Sequence, residues 1–180
     1  YDRKGVLWAV TNNGLYTMNN RDEVVARYSA EASIPENKLP YSDFHAVYED
    51  GPGNFWMASN GAGLIQWNRS SGKFRQFTVA DGLSSNVLYA ILPDERGFLW
   101  ISSDYGLMRF NPKTATVKTY TTADGITDNE FNRISSFKAK DGRMYVGGMN
   151  GVNAFLPSNF PDETTPLKVP LRITSFNQYD

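Results

Sequence analysis

The stretch RGFLWISSDYGLMRF, Arg96 to Phe110, joins a glycine, an apolar run centred on Trp100, a polar turn and a second apolar run. The same plan returns in KGVLWAVTNNGLYTM (Lys4 to Met18), GNFWMASNGAGLIQW (Gly53 to Trp67) and GRMYVGGMNGVNAF (Gly142 to Phe155). The anchor aromatics Trp8, Trp56, Trp100 and Tyr145 follow one another at intervals of 48, 44 and 45 residues. A period of this length marks propeller blades, solenoids or arrays, in which one supersecondary unit buries its faces against the next.

One unit, Val87 to Tyr120, divides into VLYAIL, FLWIS, GLMRF and VKTYT, four short apolar or alternating runs separated by turn residues. Such a unit is one antiparallel sheet, and a single sheet cannot bury both of its faces, so the fold class is all-β: a β-propeller built of four-stranded blades. The blades fall at about 1–43, 44–86, 87–133 and 134–160, with 161–180 left as a linker and a further strand. The innermost strand of each blade is expected to be the most apolar, covered on both faces by neighbouring blades, and the outermost to alternate and carry charge. Asp50, Asp94 and Asp141, with Gly53, Gly97 and Gly142, read as turn residues at one shared position before the second strand. Trp8, Trp56, Trp100 and Tyr145 read as blade-core aromatics that fill the wedge between neighbours.

The chain opens at YDRKG, inside a repeat, and its first blade lacks an innermost strand, so it reads as a segment of a larger ring. Such a segment is expected to expose apolar blade faces and to find partners, either the remaining blades or a second copy of the chain. Composition agrees with a packed core: 41% of the 180 residues are hydrophobic and 14% aromatic. A net charge of −1, with no basic run, gives no electrostatic basis for nucleic acid or an anionic membrane as partner. With no cysteine there is neither a disulfide framework nor a thiolate metal site. No apolar stretch reaches the roughly 20 residues that span a bilayer, so no direct membrane contact is expected of this segment.

The segment ADGLSSNVLYAILPDERGFLWISSDYGLMRFNPKT, residues 80–114, resembles the two-component regulator propeller repeat: a D-G-L-x-x-N turn, then D-x-x-G-x-L-W, then G-L-x-R-F-x-P. ADGITDNEFNRISSFKAKDGRMYVGGMNGVNAFLPSNF, residues 123–160, resembles the form of this repeat that ends the ring. PLKVPLRITSFNQYD, residues 166–180, resembles the first strand of the immunoglobulin-like Y-Y-Y domain. The resemblance implies a sensor: the periplasmic part of a hybrid two-component system that recognises a glycan breakdown product and signals to a histidine kinase elsewhere in the protein. It implies no enzyme activity in this segment.

The residues themselves suggest no catalytic constellation, metal site or cofactor. His45 is the only histidine and stands without a companion Ser, Cys or second ligand, so it reads as structural. Asn68 opens an N-R-S sequon to which no meaning attaches in a bacterial chain. Because strand direction alternates, the turns joining second to third strands and the connections between blades share one face. Their recurring residues, Asp81 and Asn86 with Asp124 and Asn129, read as turn and cap groups. Tyr105, Glu130, Asn132 and Arg133 do not recur, and an aromatic, a carboxylate, an amide and a guanidinium form a set suited to an oligosaccharide ligand. A propeller lyase of the streptogramin-inactivating type, needing a divalent metal, and an interaction scaffold without a small ligand are the alternatives.

Overall fold

A computed structural model describes residues 1–161, so the expected Y-Y-Y strand lies outside the described residues. The four repeats form four antiparallel sheets whose strands pair in chain order. The first sheet holds β1 (Leu7–Thr11), β2 (Gly14–Met18) and β3 (Val24–Tyr28), and the second β4 (Phe44–Gly51), β5 (Asn54–Ser59), β6 (Leu64–Asn68) and β7 (Lys73–Phe77). In the third are β8 (Leu88–Pro93), β9 (Leu99–Ser103), β10 (Leu107–Asn111) and β11 (Thr116–Tyr120), and in the fourth β12 (Phe131–Lys138), β13 (Met144–Gly148) and β14 (Gly151–Phe155). The first sheet has no inner strand and the fourth no outer one among the described residues. Residues 131–133, grouped by sequence with the third blade, open β12. No helix among the described residues is long and apolar enough to cross a membrane.

The inner strands β4, β8 and β12 are neighbours, and each sheet packs face-on against the next. Three buried clusters occupy the three junctions. Trp8, Leu15 and Tyr28 of the first sheet meet Phe55, Met57 and Trp67 of the second. Trp56, Leu64 and Phe77 meet Leu99, Ile101 and Phe110. Trp100, Leu107 and Tyr120 meet Phe131, Met144 and Val146. Trp8 and Trp56 are each wedged between rings of their own and the following sheet: Trp8 lies 5.3 Å from Tyr28 and 4.9 Å from Phe55, and Trp56 lies 5.9 Å from Phe77 and 5.4 Å from Phe110.

Two expectations change. The second and third strands of a blade, not the innermost, are the most buried: every residue of β9 is buried, whereas β4 is mostly half-buried and β12 largely exposed. The middle strands have a neighbouring sheet over both faces, while the inner strands also border the central opening. Tyr145, expected in a blade core, is 36% exposed, its face of the fourth sheet meeting no further sheet among the described residues.

The turn before each second strand is built on a side-chain tie. The indole N–H of Trp8, Trp56 and Trp100 donates to the carboxylate six residues earlier, on Asp2 at 3.0 Å, Asp50 at 2.6 Å and Asp94 at 3.1 Å. Asp94 also accepts from the backbone N–H groups of Arg96 and Phe98, and Asp2 from those of Lys4 and Val6. Asp141 does not share this position. In the fourth sheet Ala139 takes the place of Asp94, with the same Ala139–Arg143 and Gly142–Ala139 backbone bonds, and Asp141 accepts from Arg143 N at 3.0 Å within the turn. The fourth sheet therefore lacks both halves of the tie, an aspartate and an indole. Gly53, Gly97 and Gly142 all adopt positive φ, the conformation that closes these hairpins.

Candidate functional site

The upper face of the molecule carries the turns between second and third strands and the connections between sheets, and backbone bonds stitch the two sets together. Gly61 and Gly63 donate to Asn86 O at 3.0 and 2.9 Å, Gly106 donates to Asn129 O at 2.6 Å, and Met149 donates to Glu130 O at 3.1 Å. The recurring polar residues of the connections are capping groups. Asp81 and Asp124 accept from the backbone N–H groups of Thr78 and Thr121, both at 2.9 Å, and Asn86 and Asn129 accept from those of Val79 and Thr122. Their side chains are engaged in holding the loops.

Each inner strand begins with a register irregularity at the same level. Phe44 pairs with Ser59, Leu88 with Ser103 and Phe131 with Gly148, and in each case the pairing slips immediately afterwards. The residue set free by the slip is His45 in the second sheet and Tyr89 in the third, while in the fourth sheet four residues, 132–135, stand opposite Gly147 alone. A bulge of this kind leaves one residue outside the ladder and re-aims its side chain. The His45 and Tyr89 rings lie 5.6 Å apart. His45 Nδ1 is 2.8 Å from the Leu88 carbonyl oxygen, and a carbonyl can only accept, so Nδ1 carries the hydrogen. In the neutral ring Nε2 is then an acceptor, buried and with no partner among the described residues. His45 is thus held through one ring nitrogen, the other having no partner among the described residues.

Around this row stand charged and aromatic groups. Burial first, and then the carboxylates of Asp104 and Glu130, push the Tyr89 phenol above its ordinary value, while the Arg133 guanidinium acts in the opposite direction. Asp104 lies in the β9–β10 turn, Glu130 directly before β12 and Arg133 within β12. Tyr105, in the same turn as Asp104, is 56% exposed and is fixed through its backbone N–H on Ser103 Oγ at 3.1 Å. Glu130 is exposed, its backbone N–H held by Asp128 Oδ1 at 3.0 Å. Asn132 reaches Gly148 O only at 3.4 Å. Arg133 is exposed and forms no hydrogen bond or ion pair among the described residues. Of the four residues chosen from the sequence, Glu130 directly precedes β12, Asn132 and Arg133 lie in its irregular start, and Tyr105 stands beside Asp104 in the β9–β10 turn. Sequence reading missed Tyr89 and set His45 aside. The available signal was their common place directly after the first buried residue of the inner strand, Phe44 or Leu88.

What this arrangement offers is a shallow polar surface with two exposed or half-buried tyrosines, two carboxylates, one guanidinium and one amide. Among the described residues no group of three or more His, Asp or Glu is placed to hold a metal ion.

Comparison with known proteins agrees with the architecture. No protein of curated function matches the sequence. Among solved structures, the extracellular domains of two hybrid two-component systems of B. thetaiotaomicron are similar. One has 22% identity and a TM-score of 0.69, over 88% of this chain and 21% of that one; the other has 20% identity and a TM-score of 0.71, over 88% and 22%. Virginiamycin B lyase of Staphylococcus aureus is similar at 11% identity and a TM-score of 0.53, over 86% of this chain and 53% of that one. At these identities the likeness is one of fold, and the chain spans about a fifth of the length of the two-component structures. Residues 82–105, from the connection that precedes β8 to the exposed Tyr105, match the family described as Two component regulator propeller. The chain is a propeller segment in which one stretch, residues 82–105, is similar to a two-component regulator propeller repeat.

Proposed function

We propose that this chain is part of the extracytoplasmic sensor of a two-component signalling protein, that it has no chemistry of its own, and that its upper face binds a carbohydrate-derived ligand whose presence is passed to a histidine kinase. The observation that carries the reading is a 56% exposed Tyr105 and an exposed Arg133, with no hydrogen bond or ion pair among the described residues, on the face that also presents the His45 and Tyr89 rings 5.6 Å apart. Planar rings stack against the apolar faces of sugars, carboxylates and amides bind hydroxyls, and a guanidinium pairs with uronate or sulfate. The family match and the likeness to extracellular domains of hybrid two-component systems support the sensor part of the reading.

The test is calorimetric titration of the chain with neutral, uronate-bearing and sulfated oligosaccharides, repeated on Arg133→Ala and Tyr105→Ala. An acidic oligosaccharide should bind saturably and should lose about tenfold or more in affinity in Arg133→Ala, the usual effect of removing one charged hydrogen-bonding partner. Binding that both variants leave unchanged would place the ligand elsewhere, and no binding by any of the three sugar classes would remove the carbohydrate part of the proposal.

A further inference from the structure

The inner strand of the fourth sheet is longer than its counterparts at one level only. Between Phe44 and the Val47–Met57 pair the second sheet has His45 and Ala46, and between Leu88 and the Ile91–Ile101 pair the third has Tyr89 and Ala90. Between Phe131 and the Ser136–Val146 pair the fourth has Asn132, Arg133, Ile134 and Ser135. The second strand is equally long over this interval in all three sheets, from Ser59 to Met57, Ser103 to Ile101 and Gly148 to Val146. The added length of β12 therefore bulges out at the rim of the upper face, at the level where His45 and Tyr89 leave the ladder.

The second strand makes room for it. Where the other sheets have Ser59 with Ala58 and Ser103 with Ser102, the fourth has Gly148 with Gly147. Neither glycine has positive φ, so backbone freedom is not what these positions require. Space is: a Cβ on Gly147 would lie 2.7 Å from Ser135 Cβ, and one on Gly148 would lie 2.7 Å from the Glu130 carbonyl oxygen. The exchange costs a hairpin lock. Ser59 Oγ donates to Gly63 O at 2.7 Å and accepts from Ala62 N at 2.9 Å, and Ser103 Oγ donates to Gly106 O at 2.9 Å and accepts from Tyr105 N at 3.1 Å. Thr11 makes the same pair of bonds with Gly14 O and Asn13 N in the first sheet. Gly148 has no hydroxyl with which to make them.

We propose that Gly147 and Gly148 are positioning residues for ligand recognition: the space they leave seats the bulge 132–135 and so fixes where Asn132 and Arg133 stand on the upper face. The inference rests on the reading of that face as a ligand surface. Arg133 is exposed, and its side chain makes no hydrogen bond or ion pair among the described residues. Asn132 is tied only through Nδ2, 3.4 Å from Gly148 O. Neither side chain is anchored by a strong contact of its own, so the backbone of the bulge sets the place of both, and the two glycines set the place of the bulge. Groups that recognise a ligand must be held to within about 0.5 Å, a tolerance that a Cβ forced into this gap exceeds.

Two measurements on the same variants test this: amide hydrogen exchange across residues 131–136 without ligand, and calorimetric titration with a uronate-bearing oligosaccharide. Gly147→Ala should speed exchange across the bulge and weaken binding about tenfold, the effect of losing one charged hydrogen-bonding partner. Ser135→Gly removes the carbon that the new Cβ meets, so the double variant Gly147→Ala with Ser135→Gly should regain both the slow exchange and the affinity. A second glycine in a strand adds no stability of its own, so such a rescue separates positioning from general weakening. Gly148→Ala, opposed by a backbone carbonyl, should lose both properties and gain nothing from Ser135→Gly. Ser135→Val crowds the same gap with both glycines in place and should reproduce the loss, while unchanged protection in β8–β11 shows that the fold persists. Wild-type exchange and affinity in Gly147→Ala, or a loss that Ser135→Gly leaves in place, would overturn the proposal. A wild type that binds no oligosaccharide would overturn the ligand reading and the role in recognition with it; that outcome is told apart from a failure of the seating, which exchange reads without ligand.

Discussion

Asp2 lies near the start of the described chain, yet its carboxylate does the same work as those of Asp50 and Asp94. Burial tends to raise its pKa, but the Trp8 indole, the Val6 and Lys4 amides and the Arg69 charge outweigh that and hold it below the ordinary value. The sign follows from linkage. A carboxylate whose folded pKa lies below its unfolded one adds stability that is fully present above the unfolded value of about 3.9 and is lost as the pH falls through the folded value. Urea unfolding at a series of pH values should show Asp2→Asn less stable than wild type near neutrality, with a shallower loss of stability below about pH 4. Equal acid slopes would mean that the tie contributes nothing. At this scale the sequence was partly misleading. The Asp-Gly pair at 141–142 looks like a turn aspartate and was grouped with Asp50 and Asp94, whereas the constraint is a six-residue reach to an indole N–H. Asp2 satisfies it, and Ala139, facing a tyrosine in place of a tryptophan, has no such donor to satisfy.

At the scale of the element, the hairpins depend on where a Cβ can fit. Gly63 adopts φ +74°, and a Cβ there would lie 2.1 Å from the Phe77 carbonyl oxygen on the outer strand. Gly97 also has positive φ, but open space surrounds it. Gly97→Ala therefore costs only the conformational strain, about 1 kcal/mol, while Gly63→Ala must also displace β7 and should cost well beyond that. Chemical denaturation of both variants measures the difference, and equal losses would show that β7 yields freely. Strand positions and turn glycines were legible because period-2 runs and Gly-rich turns are local signals. Relative burial was not, because it depends on which faces have a neighbour. β12 resembles a core strand in the repeat alignment but forms the exposed lip of the last sheet.

The whole molecule is a row in which each sheet packs on its neighbours, so damage should stay local. Trp8→Ala removes the wedge of the first junction, a loss of about 3–5 kcal/mol in a packed core. Hydrogen exchange should then show β1–β3 opening readily while β8–β11 keep their protection. Protection lost evenly across all four sheets would mean that the row unfolds as a single cooperative unit. The architecture was legible at this scale because four copies of one signal reinforce each other. The candidate site was only half legible, since Tyr105, Glu130, Asn132 and Arg133 stood out by not recurring, whereas His45 and Tyr89 were hidden by standing at a position that does recur.

That shared position has a consequence for how such surfaces change over time. Because the slip after Phe44 and Leu88 is set by the ladder on either side, the backbone accepts an imidazole or a phenol there without altering the junctions beneath. Selection can therefore exchange either of these side chains, as a type-setter swaps a letter in a locked frame, and obtain a different chemical preference from an unchanged fold.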